Sequence, residues 1–428
     1  MAVSHEFSRR ALLHGAMAGG AAFGGFGRLF AADSAAQASR QQKHVILLWM
    51  SGGPSQFETW DPKPGAPTGG PHLSIPTTIP GIHFDEFLPQ LARLAERMVT
   101  IRSMTTKNGD HSAGSFLAQT GHEPSRVIAP PPHWLAMAAH ELAPARGELP
   151  AFVNINREQD VQTNPGAGFL GPKYQQLYCP GNGAPPEDLP PPSVADLAAL
   201  EAREALRERL AAGFRAGRDP RPLAAHDAIF RQMGSLVASS EIFDISREPE
   251  SDQDRYGRTR FGRDCLLARR LVERGVPFVR VQHQNGLAWD KHRRAFDCQR
   301  HISAEFDTAA GALIDDLIAR GLWEQTLVVC MGEFGRTPEI QGQGPPGRNH
   351  YTKNWALSFG GCGMKEGVVI GKTNADGTEI IDRPVTIHDL FCTFYTILGI
   401  DPHKELDFEG RPIPLVENKL GQPLREVL

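Results

Sequence analysis

The sequence has few cysteines for its length, and none of them form a CxxC pair. The six lie far apart in the 428-residue chain, at Cys179, Cys265, Cys298, Cys330, Cys362 and Cys392. This spacing excludes a disulfide-stapled scaffold and a zinc knuckle, because both need closely spaced cysteines. Cys330 and Cys392 lie in apolar runs and are expected to be plain core residues.

The chain also lacks a strong excess of either charge. Its formal net charge is -4, with 45 basic and 49 acidic residues dispersed along it. Because nucleic-acid-binding domains usually carry a basic stripe, this dispersion argues against nucleic acid as the main partner. The length suits one large domain with insertions, or two domains.

No run is apolar enough for a membrane span, which needs about 20 strongly apolar residues. The closest approach is residues 11–32, where glycine is frequent. It follows Arg9 and Arg10 in the stretch SRRALL, which resembles the twin-arginine export consensus, and Ala36-Gln37-Ala38 has the small residues of a cleavage site. We predict a signal peptide over 1–38, export to the periplasm or cell envelope, and the twin-arginine machinery as a partner. A frayed, Ala-rich helix is the alternative.

Three continuous apolar runs predict strands that are buried on both faces. They are KHVILLWM at 43–50, VPFVRV at 276–281 and TLVVCM at 326–331. Apolar residues at helical spacing predict helices over 258–274, 302–317 and 387–398. This alternation predicts an α/β fold, with a mostly parallel sheet flanked by helices on both faces.

Residues 180–257 depart from that pattern. A Pro-rich stretch, GNGAPPEDLPPPS, precedes two polar helices predicted over 194–214 and 223–240. Ser193 is a suitable N-cap for the first of them, because Asp196 follows at the capping-box spacing. We expect a helical insertion at about 180–257 within a domain that spans 43–428.

Metal-compatible side chains follow two of the predicted strands. Asp290 and His292 come shortly after the second apolar run, and Glu333 comes just past the third. Open α/β sheets bind ligands beyond the carboxyl ends of their strands, so these side chains are expected at one edge. Carboxylate and imidazole together suit zinc, manganese or iron better than calcium.

Two loops add further candidates. His350 lies in a Gly/Pro-rich segment, and Asp110-His111-Ser112 opens a segment with helical character. Two neighbouring ions would clamp the attacking and leaving oxygens of a displacement at phosphorus or sulfur. The spacing alone leaves plainer alternatives open: a solvated loop after the second run, ion pairing of Glu333 with an arginine, and Asp110 as a helix N-cap. No tight ligand motif such as HExxH is present.

Six stretches together carry a resemblance to a known family. They are ILLWMSGGPSQFETWDPKP, DHSAGSFLAQTGHEP, AGFLGPKY, WDKH, DLIARGLWEQTLVVCMGEFGRTPEIQGQGPPGRNHY and VTIHDLFCTFYTILGIDP. They resemble the exported bacterial family called domain of unknown function 1501, which is placed beside the sulfatases in the alkaline phosphatase superfamily. The resemblance covers about residues 43–420, except parts of 180–257. It implies an alkaline phosphatase/sulfatase-like core.

For metal binding, the resemblance implies a divalent ion such as zinc, manganese or calcium. The implied ligands are Asp290, His292 and His350 for a first ion, and Glu333, His111 and Asp110 for a second. The second site departs from the family pattern at two points. Relatives have a metal-binding aspartate where this chain has Ser51, and Glu333-Phe334-Gly335 replaces their Asp-His-Gly.

For catalysis, the resemblance implies attack on an anionic ester by Ser112 or by a metal-bound water, with His111 as a further catalytic candidate. The formylglycine nucleophile of ordinary sulfatases needs Cys-x-Pro-x-Arg, which this chain lacks. Arg336 and Arg348 are candidates to neutralise the non-bridging oxygens, as guanidinium groups do for phosphate and sulfate. Ion pairing with nearby glutamates is their alternative role.

Two functions of different classes remain open. The first is an exported, metal-dependent hydrolase of phosphate or sulfate esters, whose substrate could be a sulfated or phosphorylated glycan. The second is a non-catalytic exported binding protein that keeps the fold. Ser51 and the missing family nucleophile favour the second, whereas the retained ligands favour the first. The fold alone does not decide between them.

Overall fold

The computed structural model describes most of the chain after the predicted signal peptide. The described residues are 42–124, 130–142, 149–156, 165–187, 189, 194–215, 227, 230, 232–342 and 344–428. The signal peptide at 1–38 and part of the helix predicted over 223–240 lie outside them.

A mixed sheet forms the centre of the fold. The described strands are β1 (His44–Trp49), β2 (Ser74–Pro76), β3 (His83–Asp85), β4 (Met98–Thr105), β5 (Phe152–Ile155), β6 (Leu177–Cys179), β7 (Phe278–Gln282), β8 (Thr326–Met331), β9 (Gly335–Arg336), β10 (His350–Tyr351), β11 (Trp355–Gly361), β12 (Val369–Ile370), β13 (Lys372–Thr373), β14 (Ile380–Asp382), β15 (Val385–Thr386), β16 (Glu405–Phe408) and β17 (Arg411–Pro414). Nine of them form the main sheet in the order β12-β4-β11-β8-β1-β7-β5-β6, with β15 beside β4.

Most neighbouring strands of this sheet are parallel. Strands β8, β1, β7, β5 and β6 run in one direction. Strand β11 is antiparallel to both β8 and β4. The α/β class with a mostly parallel sheet is therefore confirmed.

Helices cover the sheet on both faces. The described α-helices are α1 (Pro89–Arg93), α2 (His111–Thr120), α3 (Trp134–Leu142), α4 (Val194–Arg215), α5 (Glu250–Arg255), α6 (Arg260–Glu273), α7 (Ala295–Ala319) and α8 (Ile387–Leu398). The polar helix predicted over 194–214 corresponds to α4, and residues 232–238 are also helical. None of the described helices has the length and apolar character that a membrane span requires.

Strand β1 lies between two hydrophobic cores, and all its residues are 0% exposed. Successive side chains of a strand point to opposite faces. Ile46 and Leu48 accordingly pack in one core with residues of α6 and α7. Val45 and Leu47 pack in the other core with residues of α3 and α8. This burial on both faces holds the loop that follows β1 at a fixed place on the sheet edge.

Candidate metal centre

Loops that leave the carboxyl ends of β1, β7 and β8 meet at one edge of the sheet. Strand β1 pairs in parallel with both neighbours, so the three ends lie side by side. The Trp289 N–H donates to the Ser51 carbonyl oxygen at 3.0 Å. The Gly52 N–H donates to Glu333 Oε1 at 2.9 Å. These bonds bring the residues around Ser51, Asp290 and Glu333 together.

His111 joins this edge from the start of α2. Asp110 is the N-cap of that helix, since its Oδ1 accepts the Ala113 N–H at 3.0 Å. His111 Nδ1 lies 2.7 Å from Glu333 Oε1. His111 Nε2 lies 3.3 Å from Asp290 Oδ2 but makes no well-directed hydrogen bond among the described residues. The imidazole thus donates Nδ1–H to one carboxylate and turns its Nε2 toward another.

His350 and His292 approach Asp290 in the same way. Strands β9 and β10 pair antiparallel and return His350 to the site. His350 Nδ1 lies 2.7 Å from the Gly109 carbonyl oxygen, and His292 Nδ1 lies 2.9 Å from Asn349 Oδ1. Both Nδ1 atoms therefore act as donors, which leaves Nε2 as the ring nitrogen that faces Asp290 in each case.

The Nε2 atoms of these two histidines lie close to the same carboxylate oxygen. His292 Nε2 is 2.9 Å and His350 Nε2 is 3.3 Å from Asp290 Oδ1, and the two nitrogens are 3.1 Å apart. At that distance the lone pairs of two imidazole nitrogens repel each other unless a proton or a cation lies between them. His292 is the more exposed of the pair, with 42% of its side chain accessible.

The donor set fits a divalent ion. Among the described residues, ligand atoms of His111, Asp290 and His350 all lie within 4.8 Å of one another, and we call these three residues the metal group. Zinc bound tetrahedrally at about 2.0–2.1 Å separates its ligand atoms by about 3.3–3.4 Å. His111 Nε2 and His350 Nε2 each lie 3.3 Å from an oxygen of Asp290. An outer oxygen acceptor on each Nδ1–H is the usual support of a metal-binding histidine.

The charged groups around His111 and Asp290 also favour a bound cation. Burial lowers the pKa of His111, but hydrogen bonds with Asp290 and Glu333 outweigh burial and raise the pKa to about 9. Burial raises the pKa of Asp290, but His111, His350 and Arg336 hold the pKa well below its usual value. Without an ion, a protonated His111 therefore sits between two carboxylates, in the charge environment that a cation would find.

The structure regroups the predicted ligands. The first site was expected to use Asp290, His292 and His350, but His111 joins Asp290 and His350 in the metal group while His292 lies to one side. Glu333 lies behind His111 and holds its Nδ1. Asp110 caps α2 with its carboxylate, the plainer alternative for this residue. A second cluster built from Glu333, His111 and Asp110 does not occur among the described residues.

The predicted role of Arg336 in binding ester oxygens does not agree with its contacts. Its guanidinium donates to Asp290 Oδ1 at 2.6 Å and to the Gly53 carbonyl oxygen at 2.8 Å. It also donates to the carbonyl oxygens of Gly52 and Arg348. These bonds leave Arg336 orienting Asp290 from behind.

Arg348 is likewise used within the protein. It pairs with Glu58 at 2.7 Å and donates to the carbonyl oxygens of Thr68, Thr337 and Pro338. Its side chain is buried. The predicted contact with substrate is therefore corrected to an internal ion pair, and the partner is Glu58, which the sequence did not single out.

Ser112 occupies the second position of α2 and is exposed next to His111.

The sequence did not reveal the outer acceptors of the histidines, which are Asn349 and the Gly109 carbonyl oxygen. Asn349 directly precedes His350 in the GRNHY stretch, which was the one available signal. A carbonyl acceptor leaves no signal in the sequence, because every residue has one.

Comparisons with known proteins give the following similarities. The PsFucS1 sulfatase from Pseudoalteromonas sp. aligns at 13% identity and TM-score 0.41, over 86% of this chain and 72% of that one. The phosphonate monoester hydrolase of Agrobacterium radiobacter aligns at 15% identity and TM-score 0.39, over 89% and 78%. The zinc complex of the C-terminal periplasmic domain of EcEptC from Escherichia coli aligns at 9% identity and TM-score 0.39, over 88% and 93%.

A search of curated proteins gives no match. The family model described as protein of unknown function (DUF1501) matches residues 42–428, and the chain belongs to that family.

Proposed function

We propose that the protein is a metal-dependent hydrolase of phosphate or sulfate esters that acts after export. One observation carries the proposal: His111, His292 and His350 each bond an oxygen through Nδ1 and turn Nε2 toward Asp290. The metal group would hold a divalent ion, with His292 as an additional ligand. Such an ion would supply Lewis-acid polarisation of an ester oxygen.

The start of α2 gives a second contact for an anion. The first turn of a helix presents backbone N–H groups and the positive end of the helix dipole. Asp110 accepts a hydrogen bond from the Ala113 N–H, and Ser112 is exposed next to His111. We take the Ser112 hydroxyl as the candidate nucleophile toward an ester bound there, with a water molecule as the alternative.

Five basic residues lie on the segments that carry the metal group or bond to those segments, and we call them the basic rim. It consists of Lys107, Lys291, Arg293, Arg294 and Lys353. None of these side chains makes an ion pair within the described part of the chain.

Three backbone hydrogen bonds join the segments that carry the basic rim. The Thr106 N–H donates to the Thr352 carbonyl oxygen at 2.9 Å. The Arg348 N–H donates to the Lys291 carbonyl oxygen, and the Arg294 N–H donates to the Pro345 carbonyl oxygen, both at 3.4 Å. Unpaired charge of one sign at a cleft attracts ligands of the other sign. A sulfated or phosphorylated glycan carries such charge.

The test compares His350→Ala with His301→Ala in the mature protein. His301 is exposed on α7 and provides a matched histidine control away from the site. Bound metal is measured by elemental analysis, and turnover is measured on aryl phosphate monoesters, diesters and sulfates with zinc, manganese or calcium. We expect His350→Ala to lose metal and turnover together, while His301→Ala keeps both. Metal-loaded wild-type protein that hydrolyses none of these esters would refute the hydrolase and leave the binding protein.

A further inference from the structure

Glu333 is the buried carboxylate behind the metal group. It follows β8 and is 0% exposed. Its Oε1 accepts two hydrogen bonds, from the Gly52 N–H at 2.9 Å and from His111 Nδ1 at 2.7 Å. Coordination of an ion through Oε1 would compete with both bonds.

The other oxygen of Glu333 does not build a second metal site. Oε2 is buried and has no hydrogen-bond partner among the described residues. The metal-compatible cluster contains His111, Asp290 and His350 but not Glu333. A single carboxylate oxygen cannot hold a divalent ion without further ligands.

The neighbouring residues also supply no ligand for a second ion at this place. Ser51 offers no carboxylate, and its carbonyl oxygen accepts the Trp289 N–H at 3.0 Å. Phe334 follows Glu333 directly, and its ring lies 5.0 Å from that of His111 and 4.7 Å from that of His350. An apolar ring therefore fills space where an imidazole could have coordinated.

We propose that Glu333 is a positioning residue rather than a ligand, and that the site takes one ion per chain. The inference rests on the proposed function, because it concerns the same site. The Nδ1–H of His111 donates to Glu333, so Nε2 is the ring nitrogen left to bind an ion beside Asp290. Its negative charge also makes His111 a stronger donor to a cation. The chain thus keeps a hydrogen-bonded pair where the resemblance implied a second ion.

The experiment measures the number and affinity of bound ions in the mature protein after a chelator has removed its metal. Zinc is titrated by calorimetry, and the stoichiometry is checked by elemental analysis. We expect one ion per wild-type chain. Glu333→Gln keeps an acceptor for Gly52 and His111 but loses the charge, so it should still bind one ion, about 10–100-fold more weakly. Glu333→Ala should bind more weakly than Glu333→Gln.

Thermal unfolding of the metal-free variants separates positioning from a merely structural role. Affinity should fall in Glu333→Gln even where the unfolding midpoint is unchanged, and His301→Ala should bind as wild type does. Two ions per wild-type chain, with only one in Glu333→Gln, would overturn the inference and make Glu333 a ligand. Unchanged affinity in Glu333→Gln would also overturn it. No bound ion in wild type would instead refute the proposed function itself.

Discussion

Replacing Arg348 with methionine should destabilise the fold. Arg348 and Glu58 pair at 2.7 Å, with side chains 1% and 3% exposed. The guanidinium also donates to the carbonyl oxygens of Thr68, Thr337 and Pro338. Because removal of one partner leaves the other charge buried and uncompensated, we expect a loss of about 3–5 kcal/mol in the free energy of unfolding.

The same change should weaken metal binding. His350 belongs to the loop that Arg348 ties down, and its Nδ1 bond to Gly109 depends on where that loop lies. Loss of an outer support typically costs a metal site about 10–100-fold in affinity. Zinc titration of Arg348→Met should therefore show weaker binding at unchanged stoichiometry.

A double-mutant cycle with denaturant unfolding tests the reasoning. Glu58→Met and Arg348→Met should each be strongly destabilised, whereas the double variant should lose less than their sum, because an apolar pair of similar volume replaces the ion pair. Arg348→Lys keeps the charge but loses the planar fork, so its stability should lie between wild type and Arg348→Met. An Arg348→Met protein that unfolds at the wild-type denaturant concentration would refute the argument.

Three further predictions concern export, the nucleophile and the basic rim. Changing Arg9 and Arg10 together to lysine should leave unprocessed protein in the cytoplasm; mature protein outside the inner membrane, seen on fractionation, would contradict the signal assignment. Ser112→Ala should abolish ester turnover and keep bound metal if the serine attacks, whereas attack by water predicts little change. Lys107→Glu should raise KM for an anionic ester at low salt and leave kcat unchanged, with the effect shrinking as salt screens the charge. Lys372→Glu, at an exposed position on β13, is the matched control and should leave KM unchanged.

The strands that form the parallel part of the sheet could be predicted because burial leaves a clear pattern. Strand β1 and strand β8 are continuous apolar runs, and the structure places them side by side in the core. Helix α8 begins at a Thr386–Asp389 capping box and ends before Gly399, so both of its ends were readable. Strand β7 begins later than predicted, because Pro277 has no N–H to donate to a neighbouring strand.

The antiparallel strand β11 escaped prediction. Its sequence WALSFGG ends in glycines, which indicate a loop when read alone. In the fold these glycines mark close backbone approach: a Cβ on Gly360 would lie 2.6 Å from the Arg97 carbonyl oxygen, and one on Gly361 would lie 2.2 Å from the Thr326 carbonyl oxygen. The contact is long-range, so no local pattern could reveal it.

The candidate site was predictable as a set of residues but not as an arrangement. The ends of predicted strands located Asp290 and Glu333, since parallel strands share one edge for ligands. The directions of the side chains depend on contacts between distant segments. His111 contacts Asp290 from a helix far earlier in the chain, and Glu58 forms an ion pair with Arg348, which lies 290 positions later. Sequence spacing carries no information about either pairing.

Buried and exposed basic side chains have different roles at the sheet edge that carries the metal group. The N–H groups of Arg348 are fully engaged, so this residue shapes the loop and cannot follow a ligand. Lys107 and Lys353 are exposed and unpaired, so they can reorient at little cost, but their pull is screened within about 8 Å at physiological salt. Under the proposed function, weak, long-range attraction would come from the basic rim. Directional binding would come from the metal group, whose histidines donate Nδ1–H to oxygen acceptors.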